Sequence, residues 1–172
     1  MVGLIIGRFQ PFHNGHLRMI KWIMNREDRI IVGIGSAQES HTLMDPFTAG
    51  ERYEMIHEAL KEASISDFFI IPIEDLKRNS LWVAHVISLS PHFDTVYTNN
   101  PLVKELFDEY EIRVVCPPIY KRGAFTGRKI RELMLDGNDW EKYVPRAVSG
   151  VIDRVGGVRR MKNIARSDEI EG

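Results

Sequence analysis

The sequence predicts an α/β fold, a doubly wound parallel sheet of about five strands with a small C-terminal helical extension. Three observations predict it. Short runs of branched apolar residues alternate with helix-period segments five times, the pattern of strand–helix–strand units joined by right-handed crossovers. After about Asp136 the strands stop and only short helical patterns follow. With 172 residues and 44% hydrophobic content, the chain can bury one full core but not two ordinary ones. We therefore expect an α/β domain over residues 1–136 and a helical extension over 137–172 packed on the same domain.

The first strand is expected at Val2–Ile6, before the turn Gly7-Arg8-Phe9-Gln10-Pro11-Phe12 and a helix carrying Leu17, Met19, Ile20 and Ile23. Pro11 lacks a backbone donor and biases Gln10 toward an extended conformation, so the helix starts no earlier than about Phe12, with Asn14 as a good cap. Arg29–Gly35 reads as the second strand, nearly all apolar as buried parallel strands are. Its Gly33-Ile34-Gly35 signals a tight turn only, and the GxGxxG dinucleotide fingerprint is absent. The polar segment Ala37–Phe47 is long enough for a functional loop.

Thr48 and Glu51 fit a capping box for a helix to about Lys61 that presents Met55, Ile56, Ala59 and Leu60 to the sheet. Glu51 and Arg52 are read as capping and as a solvated or ion-paired face, with a role as ligands the alternative. Phe68–Ile73 is the third strand, and Ser80–Leu89 a helix capped by Asn79 or Ser80. Trp82 in its first turn reads by default as packing, with stacking on a flat heterocycle left open by its place at the sheet's carboxyl edge. Asp94–Thr98 is the fourth strand, Pro101 begins the next helix at N1, and Ile112–Cys116 is the fifth strand. Asp139–Val155, interrupted by Pro145, and Val158–Ala165 read as short helices. Their Arg154, Arg159, Arg160, Lys162 and Arg166 form a solvated face or else reach toward a nucleotide.

A net charge of −1 gives no general attraction to nucleic acid or membrane, so no partner of either kind is expected and any basic site must be local. Cys116 is the only cysteine, which excludes an intrachain disulfide and fits a reducing compartment; Val114 and Val115 beside it predict burial. No apolar run reaches 18 residues, and the chain opens on a core strand, from which we expect a soluble, cytoplasmic protein.

Two clusters carry chemistry. A helix N-terminus offers unpaired N–H groups and a positive dipole end, and here it is bordered by Arg8, His13 and His16, the histidines spaced to face the same side. Gly15 lets a ligand approach the backbone. A structural turn and half of a metal site are the alternatives. For the latter no third ligand stands at a recognisable spacing, so no metal ligation by protein side chains is expected. The second cluster is the helix start capped by Thr126, with Arg128, Lys129 and Arg131 in its first two turns and Lys121 and Arg122 upstream. Cations there oppose the macrodipole by roughly 0.3–1 kcal/mol each, which points to an anion rather than an incidental charged surface. It is not a Walker A loop, whose spacing is missing.

Gly7-Arg8-Phe9-Gln10-Pro11-Phe12-His13-Asn14-Gly15-His16 resembles the first signature of the HxGH nucleotidyltransferase superfamily, in its nicotinamide mononucleotide adenylyltransferase branch of archaeal type. Thr126 and Arg131 match the second signature, Ser/Thr-x-Thr-x-x-Arg, while Arg128 stands at its usual Thr/Ser position. The resemblance spans about Val2 to Ala165 and includes Gly35-Ser36-Ala37-Gln38, Asp45-Pro46-Phe47-Thr48-Ala49-Gly50-Glu51-Arg52, Asn79-Ser80-Leu81-Trp82-Val83 and Asn100-Pro101. It implies a Rossmann-like fold and adenylyl transfer from ATP to nicotinamide mononucleotide, giving NAD and pyrophosphate. His13, His16, Arg8 and Arg131 would be catalytic; Gly7, Arg8, Phe9, Gly15, His16, Thr126, Arg128 and Arg131 would hold the ATP phosphates. Ser36, Gln38, Asn79 and Trp82 would bind the mononucleotide. Magnesium with ATP and a homo-oligomer, typically a hexamer, are implied too. The signatures leave the acceptor open to pantetheine phosphate, flavin mononucleotide or cytidylyl chemistry. A nucleotide-binding regulator without turnover is the rival of a different class.

Overall fold

Side chains alternate across a strand, and along the two central strands that alternation divides the apolar residues between two cores. The computed structural model describes residues 1–119 and 126–171. Its five parallel strands are β1 (Val2–Gly7), β2 (Arg29–Ile34), β3 (Phe68–Pro72), β4 (Thr95–Tyr97) and β5 (Arg113–Val115), in the order β3-β2-β1-β4-β5. β1 runs in register with β2 from Val2 beside Arg29 to Gly7 beside Ile34, and pairs Leu4 with Val96 on its other side. Ile5, Ile30, Val32 and Ile34 face one core, under α1 (Asn14–Met24) and α2 (Ala49–Glu62). Leu4, Ile31 and Val96 face the other, under α3 (Trp82–Leu89) and α4 (Pro101–Asp108). The chain moves outward from β1 to β3, then returns to lay β4 beside β1. That reversal opens a crevice at the carboxyl ends of the two central strands, where ligands of such sheets sit.

Most helix starts follow local chemistry. Thr48 and Glu51 form the reciprocal box at α2, and Met55, Ile56, Ala59 and Leu60 are fully buried. Asn100 caps α4 with Pro101 at N1. Neither Asn79 nor Ser80 caps α3, however. A 3₁₀ turn over Asn79–Leu81 precedes it, and backbone bonds such as Leu81 N–H to the Arg78 carbonyl (3.1 Å) replace a side-chain cap. Cys116 is exposed, not buried: β5 ends at Val115, and Pro117 and Pro118 beyond it have no N–H with which to continue a ladder.

α5 (Gly127–Asp136), a 3₁₀ turn (Glu141–Tyr143), α6 (Arg146–Arg154) and α7 (Gly157–Glu171) complete the described chain. α6 packs on α2, and α7 on α5 and α6, adding Val148, Val151, Ile152 and Met161 to the first core. The basic face of this extension is not simply solvated. Arg160 grips the Glu51 carboxylate with both terminal nitrogens (2.6 and 2.7 Å) and donates to the Pro46 carbonyl at 3.0 Å; Arg154 pairs with Glu54. Among the described residues, no helix is long and apolar enough to cross a membrane.

Candidate active site

The cap of α1 is His13, not Asn14. His13 stands in extended backbone (φ −139°, ψ 170°) and its Nδ1 accepts from the His16 N–H at 3.3 Å, while His16 Nδ1 accepts from the His13 N–H at 3.2 Å. Asn14 turns outward instead and donates to the Lys142 carbonyl at 3.1 Å. The imidazoles thus fill both halves of a capping box. Because each Nδ1 accepts a backbone proton, each ring is assigned the tautomer with its proton on Nε2. The rings stack at 3.5 Å with 16° between their planes, and Phe9 meets His16 edge-on at 4.8 Å. Burial pushes the His13 pKa down to about 4. Burial, and then the neighbouring His13, holds His16 well below the usual histidine range. Both are therefore neutral near pH 7, each with a fixed N–H donor to offer a ligand.

α5 starts against the same turn. Thr126 caps it, accepting from the Lys129 N–H at 3.2 Å. A Cβ on Gly127 would lie 2.9 Å from the Gln10 carbonyl oxygen, so only glycine allows this approach. Arg131 donates through Nη1 to that carbonyl at 2.7 Å and through Nε to the Leu43 carbonyl at 3.0 Å. It is thus in part a structural tie, and among the described residues its Nη2 has no hydrogen-bond partner. Arg128 is mostly exposed and pairs with Glu132 at 3.0 Å; Arg8 pairs with Asp45 at 3.6 Å. Arg8, Phe9, His13, His16, Gly127, Arg128 and Arg131 line a cleft of about 190 Å³. Gly15 and Thr126 do not lie on its wall, and Lys121 and Arg122 fall outside the described residues.

A second cavity of about 330 Å³ adjoins it, walled by Gly7, Arg8, Ser36, Asp75, Trp82 and Asn100 among others. Trp82 stands edge-on to Phe107 (5.7 Å, 75°), so it packs and lines the cavity at once. Asn79 lines a neighbouring recess of about 220 Å³ that shares Trp82 and Asp75. Gln38 lines neither; its amide donates to Asp75 Oδ2 at 3.2 Å and accepts the Asp75 N–H at 3.0 Å. Arg8 lines both the cleft and the larger cavity.

Gln10, which lines the cleft, and Asp75, which lines the larger cavity and its recess, were not among the residues expected there, and Arg52 is neither the solvated nor the ion-paired residue expected. The Gln10 side chain clasps the Phe47 backbone at both ends (2.8 and 2.9 Å), pinning the loop before α2 to the turn after β1. Arg52 is fully buried. A signal for it existed: residues 52, 55, 56, 59 and 60 form one helical stripe, and the other four positions are apolar core. Among the described residues no three His, Cys, Asp or Glu side chains gather as metal ligands.

Two helix starts converging on a phosphate-sized cleft, beside a wider cavity at the switch point of a doubly wound sheet, define a nucleotide-binding α/β protein of the nucleotidyltransferase kind. The chain belongs to the cytidylyltransferase-like family, whose profile matches residues 4–147. It is 52% identical over 169 residues to the nicotinamide-nucleotide adenylyltransferase of Picrophilus torridus, covering 98% of this chain and 100% of that one. It is 49% identical to the protein of the same name from Archaeoglobus fulgidus, over 98% of this chain and 99% of that one. Its fold matches a bifunctional NMN adenylyltransferase/ADP ribose pyrophosphatase from Francisella tularensis, solved with AMP and a manganese ion. The TM-score is 0.78 at 20% identity, over 98% of this chain and 53% of that one.

Proposed function

We propose that this chain transfers the adenylyl group of ATP to nicotinamide mononucleotide, giving NAD and pyrophosphate. The observation that carries the reading is Arg8, common to the walls of the narrow cleft and the larger cavity. A guanidinium there can touch the phosphate of an acceptor in one and the triphosphate of ATP in the other. The mononucleotide's 5′-phosphate oxygen attacks the α-phosphorus in line and pyrophosphate leaves. A phosphate is already an adequate nucleophile at neutral pH, so positioning and charge stabilisation do the chemistry.

His16 donates its Nε2 proton as a hydrogen bond to the α-phosphate, with His13 beside it toward the leaving phosphates. Arg8, Arg128 and the remaining nitrogen of Arg131 hold the β- and γ-phosphates. Ser36, Asn79, Trp82 and Asp75 form the mononucleotide side, with Gln38 setting Asp75. Magnesium, arriving with ATP, supplies further neutralisation of the phosphate charge. The relatives' names support the acceptor choice. A cytoplasmic homo-oligomer and the division at residue 136 complete the proposal.

The test is a panel of acceptors with ATP and magnesium, scored for dinucleotide and pyrophosphate. NAD from nicotinamide mononucleotide is expected. Product only from pantetheine phosphate or flavin mononucleotide would move the assignment to that acceptor, and no pyrophosphate from any would leave a nucleotide-binding regulator.

A further inference from the structure

Arg52 is 0% exposed, yet among the described residues no carboxylate lies within ion-pair distance of it. Among the described residues its guanidinium hydrogen-bonds only to backbone carbonyls, with the Asp45 and Asp75 charges acting from farther off. Nε donates to Thr48 (3.2 Å), Nη1 to Arg8 and Gly35 (both 2.9 Å), and Nη2 to Ser36 (3.1 Å), Glu39 (3.3 Å) and Ala37 (3.4 Å). Three of these carbonyls lie just past two neighbouring strands: Arg8 follows β1 on the wall shared by the cleft and the larger cavity, and Gly35-Ser36 follow β2 on the wall of the larger cavity alone. The backbone next to them is held in a conformation it disfavours. Phe9, directly after Arg8, has φ +50°, and Ser36 has φ +48°, both left-handed without being glycine. Such geometry persists only where surrounding contacts over-determine it. A planar fork with five N–H groups reaches these six acceptors with one Nη2 proton shared between two carbonyls; a lysine ammonium, with three, cannot.

We propose that Arg52 is a positioning residue that locks the ends of β1 and β2 to each other, so that the acceptor phosphate and the α-phosphorus meet in line. It touches neither substrate. This rests on the adenylyl-transfer reading, and wild-type turnover is the control: a wild type that forms no dinucleotide overturns that reading, not the role of Arg52.

The experiment compares wild type with Arg52→Lys, which keeps the charge, and Arg52→Met, which keeps bulk without donors. In both variants kcat per folded molecule is expected to fall on the order of 10²-fold, the usual cost of a small misplacement of reacting groups. The dissociation constants of a non-hydrolysable ATP analogue alone and of nicotinamide mononucleotide alone should move less than about threefold. Wild-type-like kcat in Arg52→Lys overturns the proposal, because a point charge then suffices. So does a loss that disappears once activity is scaled to the folded fraction, or one confined to the binding constants. Should neither variant fold, hydrogen exchange on the wild type decides. The ATP analogue alone should slow exchange at residues 35–39, whose Gly35 and Ser36 line the acceptor cavity and not the cleft; protection confined to the residues of the cleft overturns the coupling.

Discussion

The starts of α1 and α5 face each other across one cleft, and they prepare for an anion in opposite ways. At α1 the groups are two neutral imidazoles, His13 buried and His16 half-buried, whose Nδ1 atoms are fixed by backbone protons and whose rings are stacked. At α5 they are cations already answered in part: Arg128 by Glu132, Arg131 by the Gln10 and Leu43 carbonyls. One start is preorganised and uncharged; the other is charged and adjustable. Fixed donors in a water-poor site stabilise developing charge without reorganising, whereas an exposed ion pair is worth little and is screened by salt. On the adenylyl-transfer proposal, the difference assigns transition-state stabilisation mainly to α1 and substrate holding mainly to α5, an assignment the variants below are expected to bear out.

His16→Ala should therefore break the contrast most severely. Turnover is expected to fall on the order of 10²–10³-fold with ATP affinity little changed, as in steady-state kinetics of other preorganised donors. A variant that keeps near-native kcat while folded would return the chemistry to the arginines.

His13→Asn separates the two duties of an imidazole cap. Asparagine caps helices well but has no Nε2 donor, so stability at pH 7.5 should hold within about 1 kcal/mol while kcat falls about 10²-fold. The same variant has a pH signature. The unfolded His13 titrates near 6.5 and the folded one near 4. Above 6.5 neither state binds the proton and this residue's share of stability is intact. As pH falls from 6.5 toward 4 the unfolded chain takes up a proton the folded chain refuses, and stability declines by at most about 1.4 kcal/mol per pH unit from this group. Thermal unfolding across that window should be steeper in wild type than in His13→Asn; equal slopes would mean the imidazole is not held neutral.

Gly127→Ala tests the closeness of the two starts. Its methyl would sit 2.9 Å from the Gln10 carbonyl oxygen, so α5 must back away, at about 1–3 kcal/mol by denaturant unfolding. Arg128→Ala should have the smallest effect. With an 85% exposed side chain paired to Glu132, it is expected to raise the KM for ATP only a few-fold, less at high salt, and to leave kcat unchanged. A large fall in kcat would place α5 on the same footing as α1.

Legibility in the sequence followed the range of the interactions. The Thr48/Glu51 box, Pro101 at N1, Thr126 as cap and the five strands are set by residues within a turn of one another, and each was readable from spacing. His13 displacing Asn14 as the cap was harder, since it depends on the ring of His16 turning back and on Lys142 drawing Asn14 away. Cys116 was misjudged because its exposure depends on where β5 loses its partner.

By itself the sequence determined the class of fold, the two helix starts that border the cleft and the family signature, because periodicity, caps and motif spacing are local properties of a chain. Only the tertiary structure decided that Arg52 solvates itself in the carbonyls of two strand ends, that Arg131 is half engaged before any substrate arrives, and that Gln10 pins Phe47. These depend on which backbone carbonyls the packed sheet and helices bring within 3 Å or so of a side chain, across separations such as that from Arg131 to Gln10, |i−j| 121. No linear pattern encodes that, because every residue carries the same carbonyl.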